Sequence, residues 1–190
     1  MVRHRRDRVS DARAAGLRSA VLLRLSRALS AVVDVVGRAT SWLVLGLVLL
    51  IAAEVLMRYG FDTSSIAAQE MEWWGLAVIS LLGVSYALKQ GEHVRVDVLY
   101  QYYSEKAKLW FDFLVALLVM TPISLYLAIL SLQFVGQSFA DHEVSQSPGG
   151  LPYVWLLKSF VPLGLLLLGG QSLALALEKA AALLHSPRHD

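Results

Sequence analysis

The chain is 190 residues long, 56% of them hydrophobic, with a mean hydropathy of +0.56 and no cysteine. That composition belongs to membrane proteins, because a soluble domain of this size has too small a core for such apolar runs; the missing cysteines exclude disulfide frameworks, Cys-ligated zinc, iron–sulfur clusters and thiol catalysis. The net charge of +2 is unevenly spread: nine of the seventeen Lys and Arg fall in the first 38 residues, all of them Arg, which reads as a cytoplasmic flank on anionic lipid and not as a nucleic-acid-binding face.

Residues 1–37 form a basic amphipathic arm. Arg18, Arg24 and Arg27 interrupt any signal-peptide core, so the arm is not expected to be cleaved. Leu17, Val21, Leu22, Leu25, Leu29, Val32, Val33 and Val36 recur at helical spacing, with the arginines elsewhere around the helix. Such an arm either lies in the headgroup plane or simply extends the first spanning helix.

A helix needs about 20 apolar residues to cross the hydrocarbon core. The first span is predicted over 38–59. Near its outer end Glu54 and Arg58 stand four apart in the favourable order for a helical ion pair. The carboxylate reads either as a coupling or substrate group or as an anchor that sets helix depth or holds a neighbouring subunit. The second span is predicted over 71–89. Glu70 and Glu72 open it, where they complement the helix dipole or offer a docking surface to an outer-face partner. Gly83 and Ala87 within it are spaced for close helix packing.

The connector that follows, Gly91 to Leu99, alternates polar and apolar residues and includes His93, Arg95 and Asp97. It reads as an extended or interfacial segment. The third span is predicted over 110–135, with Pro122 expected to kink or loosen it. Ser147-Pro148-Gly149-Gly150 forms a turn before the fourth span, predicted over 155–178. Lys158 lies in its first turns, either snorkelling outward or pairing with Glu54, Glu70, Glu72 or a partner's carboxylate. Pro162 and Gly164 suggest a bend against a neighbour, and Gly170 and Ala174 repeat the small-residue spacing. A short tail, 179–190, ends the chain.

The connections alternate in basic charge. The loops after spans one and three carry Asp62, Glu70, Asp141 and Glu143, whereas the connector after span two and the tail carry Arg95, Lys106, Lys108, Lys179 and Arg188. The expected fold is therefore an all-α integral membrane protein of four transmembrane helices with both termini cytoplasmic. None of the five histidines is deep in a span, which leaves bis-histidine haem and a Ser–His protease unsupported, and no phosphate loop or HExxH motif is present. The two halves show no repeat, and only Glu54 and Lys158 are candidate intramembrane charges, too few for a pore of its own.

Three blocks resemble the DctQ-like small membrane subunits of tripartite ATP-independent periplasmic (TRAP) transporters. They are Glu54-Val55-Leu56-Met57-Arg58-Tyr59-Gly60-Phe61; Gln69-Glu70-Met71-Glu72-Trp73 with the later run Leu88 to Asp97 containing His93-Val94-Arg95-Val96-Asp97; and Ser147 to Pro152 with Trp155-Leu156-Leu157-Lys158 and Pro162-Leu163-Gly164. Ala67 and Ala68 stand where many members carry a Trp, which looks like a subgroup trait. The resemblance covers about 35–178. It implies a non-catalytic subunit of the bacterial inner membrane with no cofactor of its own. Its partner would be a large elevator-type membrane subunit (the M component) that holds the substrate and sodium sites, and a periplasmic binding protein would deliver the solute, mainly organic acids. Glu54, Arg58, Gly83, Ala87, Gly170 and Ala174 would then face the large subunit, Glu70, Glu72 and Lys158 would serve outer-face docking, and His93, Arg95 and Asp97 would shape the inner connector. The other readings are an accessory subunit of another inner-membrane complex, and a membrane enzyme acting on lipid.

Overall fold

The computed structural model describes residues 2–91 and 103–185, with side chains from residue 16 onward except 18 and 185. Every regular element among them is helical: α1 (Val2–Phe61), α2 (Ile66–Gln90), α3 (Glu105–Ala140) and α4 (Val154–His185). All four are long and apolar enough to cross a membrane. The α1–α2 turn and the α3–α4 loop share one end of the bundle, here the loop end; the opposite one is the termini end. The predicted connector residues His93, Arg95 and Asp97 lie outside the described residues.

Each helix overruns its hydropathy window, because hydropathy detects only the hydrocarbon-crossing part while caps extend the helix into polar sequence. Ser65 caps α2, its hydroxyl accepting the Ala68 N–H at 3.4 Å, so the helix starts at Ile66 and takes in Glu70. Gly91 ends it in the left-handed region, φ 80°, donating to the Ala87 and Leu88 carbonyls. Ser104 caps α3 in the same way through Ala107 N–H at 3.3 Å.

α1 takes the second of the two forms expected for the arm, an extension of the first span. The arm and the first span are one unbroken helix, with no division near residue 38. Its described part from Ser19 has 43 residues, about 65 Å at the helical rise, roughly twice the hydrocarbon thickness. The inward stripe is Ser19, Ser26, Val33, Thr40 and Glu54, at intervals of seven or its multiple. The apolar residues of the arm divide between faces: Val33 lies in this stripe, whereas Leu17 is 70% exposed and Val21, Leu25 and Val32 are exposed as well. Lipid solvates large apolar side chains as well as a protein core does, so small residues take the contact positions. Two of the stripe's hydroxyls are satisfied within the helix, Ser19 donating to the Gly16 carbonyl and Thr40 to the Val36 carbonyl, both at 2.9 Å.

Pro122 loosens α3 as expected, through a π-helical turn over Val115–Met120. The Thr121 N–H donates back to the Ala116 carbonyl, and its hydroxyl donates to the same oxygen at 2.8 Å, compensating the ladder bond that proline cannot make. The fourth helix is the hub. It packs on α1, α2 and α3; α1 and α2 also pack on each other, while α3 makes its extensive contacts with α4 alone.

Glycine sets close crossings at Gly37, against the Tyr86 ring of α2, at Gly164, which was expected to meet a neighbour, and at Gly169, but not at the small-residue positions Gly83 and Gly170. A Cβ on Gly164 would sit 2.6 Å from the Leu81 carbonyl oxygen of α2, and one on Gly169 would sit 3.2 Å from Leu125 of α3. Gly83 and Gly170 face open space. Ala174 is 0% exposed, so it is filled by contacts inside this chain. We predict that Gly164→Ala destabilises the detergent-solubilised protein by about 1–3 kcal/mol, an overpacking cost. Gly83→Ala should leave the thermal midpoint unchanged or slightly raised; equal losses for the two variants would contradict the crossing.

Candidate functional site

The loop end gathers most of the residues that the sequence singles out. α1 closes into α2 through a turn of four residues, with Asp62 left-handed at φ 50°. Glu54 reaches this turn from one helical level below. One carboxylate oxygen accepts the Ser65 N–H at 3.4 Å and lies 3.5 Å from the Arg58 guanidinium. Glu54 is only 8% exposed, whereas the Arg58 side chain is half exposed. The carboxylate therefore sits at the positive N-terminus of α2, where it fastens two helices of this chain. The cation is the member of the pair turned outward.

Glu70 is a second fastener. It accepts the Ser145 hydroxyl and, at 2.6 Å, the Leu151 N–H, both from the α3–α4 loop. That loop is preshaped. Ser147-Pro148-Gly149-Gly150 makes a turn closed by Gly150 N–H to Ser147 carbonyl at 2.9 Å, with Gly149 at φ 81°. Proline followed by a positive-φ glycine is the pattern of a type II turn. Gly150 is needed for a separate reason: a Cβ there would lie 2.6 Å from both Glu70 oxygens.

Lys158 does not pair with Glu54, Glu70 or Glu72. Its ammonium bonds Glu143, from the loop just before α4, and sits 4.1 Å from the centre of the Phe134 ring. Glu143 is anchored further by its N–H to the Ser138 carbonyl at 3.1 Å and by accepting the Val154 N–H at 3.2 Å. The bond from Lys158 lowers the Glu143 pKa below the ordinary glutamate value of 4.5. Beside these groups an open cavity of about 260 Å³ is walled by Trp73, Trp74, Val144 and Val154, with Glu70 and Glu143 at its rim. Glu72 lies outside this cavity, with one carboxylate oxygen buried and without a hydrogen-bond partner.

The termini end carries two ion pairs that the sequence reading did not single out. Asp34 of α1 pairs with Lys89 of α2, and Lys89 also donates to the Ser30 carbonyl at 3.4 Å. Asp112 of α3 pairs with Lys179 of α4 at 3.1 Å. Lys179 was legible as a topology-setting charge, but the carboxylate partners of both lysines are remote in sequence. The arrangement as a whole fastens helix ends to one another. Among the described residues no group of three His, Asp or Glu converges as a metal site.

A family model described as "Tripartite ATP-independent periplasmic transporters, DctQ component" matches residues 47–182, which reach into all four membrane helices. No curated protein and no solved structure matches the chain.

A folded-state pKa held down by Lys158 means that the ionised Glu143 stabilises the fold above pH 4.5, and that this contribution is lost as pH falls through the lowered value. The thermal midpoint of the detergent-solubilised protein should therefore fall on acidification below pH 4.5. Glu143→Gln should melt lower than the parent at neutral pH and converge with it in acid; parallel curves would remove the ion pair from the account.

Proposed function

The chain belongs to the DctQ component family of TRAP transporters, and from that premise we propose that it serves as the non-catalytic brace of a sodium-coupled, binding-protein-dependent importer of an organic acid. The family match across all four membrane helices carries this reading. Membership makes the chain a small permease subunit and a multi-pass membrane protein. The family works with a large M subunit and a periplasmic binding protein, and the proposal assigns solute movement and the sodium sites to the large subunit.

Three features support a holding role. Toward the two ends of the bundle, ion pairs join Glu54 to Arg58, Asp34 to Lys89, Glu143 to Lys158 and Asp112 to Lys179. The deep hydroxyls of Ser85 and Ser172 donate to the Leu82 and Leu168 carbonyls of their own helices at 2.9 and 2.8 Å, and so are turned away from any path for solute. Large apolar residues face outward along α1 and α3. The rim of Glu70 and Glu143 with Trp73 and Trp74 is the proposed surface for receiving the binding protein. Exposed Arg24, Arg27 and Arg38 beside Leu17, Val21 and Leu25 suit an anionic lipid surface at the inner membrane. In this reading both termini are cytoplasmic, by the excess of Arg and Lys in the arm, connector and tail.

Liposome reconstitution tests the function. Uptake of an organic acid under a sodium gradient should require the large subunit, the binding protein and this chain together, while the chain alone moves nothing. Equal uptake without the chain would defeat the brace. A reporter fused after Asp190 should behave as cytoplasmic; periplasmic behaviour would invert the topology.

A further inference from the structure

Resting on the small-subunit reading above, we infer that the face of α3 carrying Tyr126, Leu130, Gln133 and Gln137 is where a transmembrane helix of the large permease subunit packs. These residues fall on one side of α3 at intervals of three and four. Their side is opposite the stripe of Thr121, Ser124, Ala128 and Ser138 that is buried inside the chain. All four are exposed, Tyr126 at 62%. Because α3 makes its extensive contacts with α4 alone, this far side is open along its length.

Depth makes the face informative. Phe139 meets Trp155 edge to face at the loop end, 5.3 Å between ring centres, and marks the level where aromatic side chains sit at the membrane interface. Gln133 lies about 9 Å and Tyr126 about 20 Å further in by the helical rise, the latter near the middle of a core roughly 30 Å thick. Neither the Gln133 amide nor the Tyr126 hydroxyl has a hydrogen-bond partner among the described residues. Hydrocarbon supplies none, so lipid is the wrong occupant for this face, and a protein helix offering donors and acceptors is the right one. Gln137 is shallow enough to reach the headgroup region and adds little to the argument.

The outward face of α1 is the natural comparison. From Trp42 to Met57 it presents residues such as Leu45, Val48, Leu49 and Val55, and the Ser41 hydroxyl beside them donates to the Gly37 carbonyl at 3.1 Å. On α2 the exposed Ser80 hydroxyl is likewise satisfied by the Leu76 carbonyl at 2.8 Å. Lipid tails suit both faces. The interface thus moves from the residues expected on spacing, of which Glu54 and Ala174 are buried within this chain, to α3.

The test uses the whole complex in membranes, with a photoreactive amino acid placed singly at Tyr126, Gln133 or Val48. Irradiation should join this chain to the large subunit from positions 126 and 133, and to lipid only from 48, read by adduct mass. The double variant Tyr126→Phe, Gln133→Leu keeps side-chain size and should recover several-fold less large subunit on co-purification. Adducts from α3 with lipid alone, with a second copy of this chain, or none at all overturn the inference while the small-subunit reading stands. So does large-subunit labelling from 48 and not from α3. If the unaltered chain never co-purifies with a large subunit, both readings fail.

Discussion

Inside a bilayer a large apolar side chain gains nothing by leaving its surroundings, and this constraint governs how the four helices pair. What remains to hold them is close backbone approach and the satisfaction of polar groups. The fourth helix meets both demands. Gly164 brings it against the Leu81 carbonyl on one side, and Gly169 brings it against Leu125 and Ser124 on another. Two bald positions on different sides of one helix let it touch two neighbours at once, and that is why α4 becomes the hub and α3 is left attached along a single seam.

The same constraint turns α1 inside out relative to a soluble amphipathic helix. Ser19, Ser26 and Thr40 face inward while Leu17, Leu25 and Leu49 face outward. A buried hydroxyl is tolerated because it returns its hydrogen bond to a carbonyl of its own helix one turn earlier. Charges follow a stricter rule. Where an ion pair joins two helices it fixes their relative height: Asp34, midway along the overlong α1, to Lys89 near the end of α2, and Asp112 of α3 to Lys179 of α4. At the loop end Glu54 and Glu70 do the corresponding work through backbone amides, with Ser65 and Leu151 as donors. A carboxylate at an amide-rich helix start or loop is stabilised without a cation of its own.

The number of helices was legible because about 20 apolar residues have few other uses. The weakness at Pro122 and the turn at Pro148-Gly149 were legible because proline and glycine restrict the backbone locally. What was hidden is rotational. Gly83 and Ala87 share the spacing of a packing motif, yet Gly83 faces open space, since spacing shows that small residues share a face and not which neighbour that face meets. Apolar periodicity on the arm did not tell which of its residues would be buried: Val33 is, whereas Leu17, Val21, Leu25 and Val32 are exposed. Glu143 looked like one more acidic loop residue, and only the fold shows that the chain returns Lys158 to it. Glu54 was legible as a group needing a partner; its use inside the chain depended on where the α1–α2 turn places Ser65.

These two surfaces, α1 apolar throughout its span and α3 interrupted by an amide and a phenol, argue about the function from the outside of the molecule. A subunit that moved solute would expose its unsatisfied polar groups to an internal path. Here the deep hydroxyls of Ser85, Thr121 and Ser172 are closed onto carbonyls of their own helices, and the exposed polar groups at depth lie on the far side of α3, the helix that packs extensively on one neighbour alone. Among the described residues three polar atoms, of Glu72 in α2, Ser138 in α3 and Gln171 in α4, are buried without a partner. Polar chemistry turned outward from a helix with one neighbour is the distribution that the proposed packing of α3 on a large subunit would need.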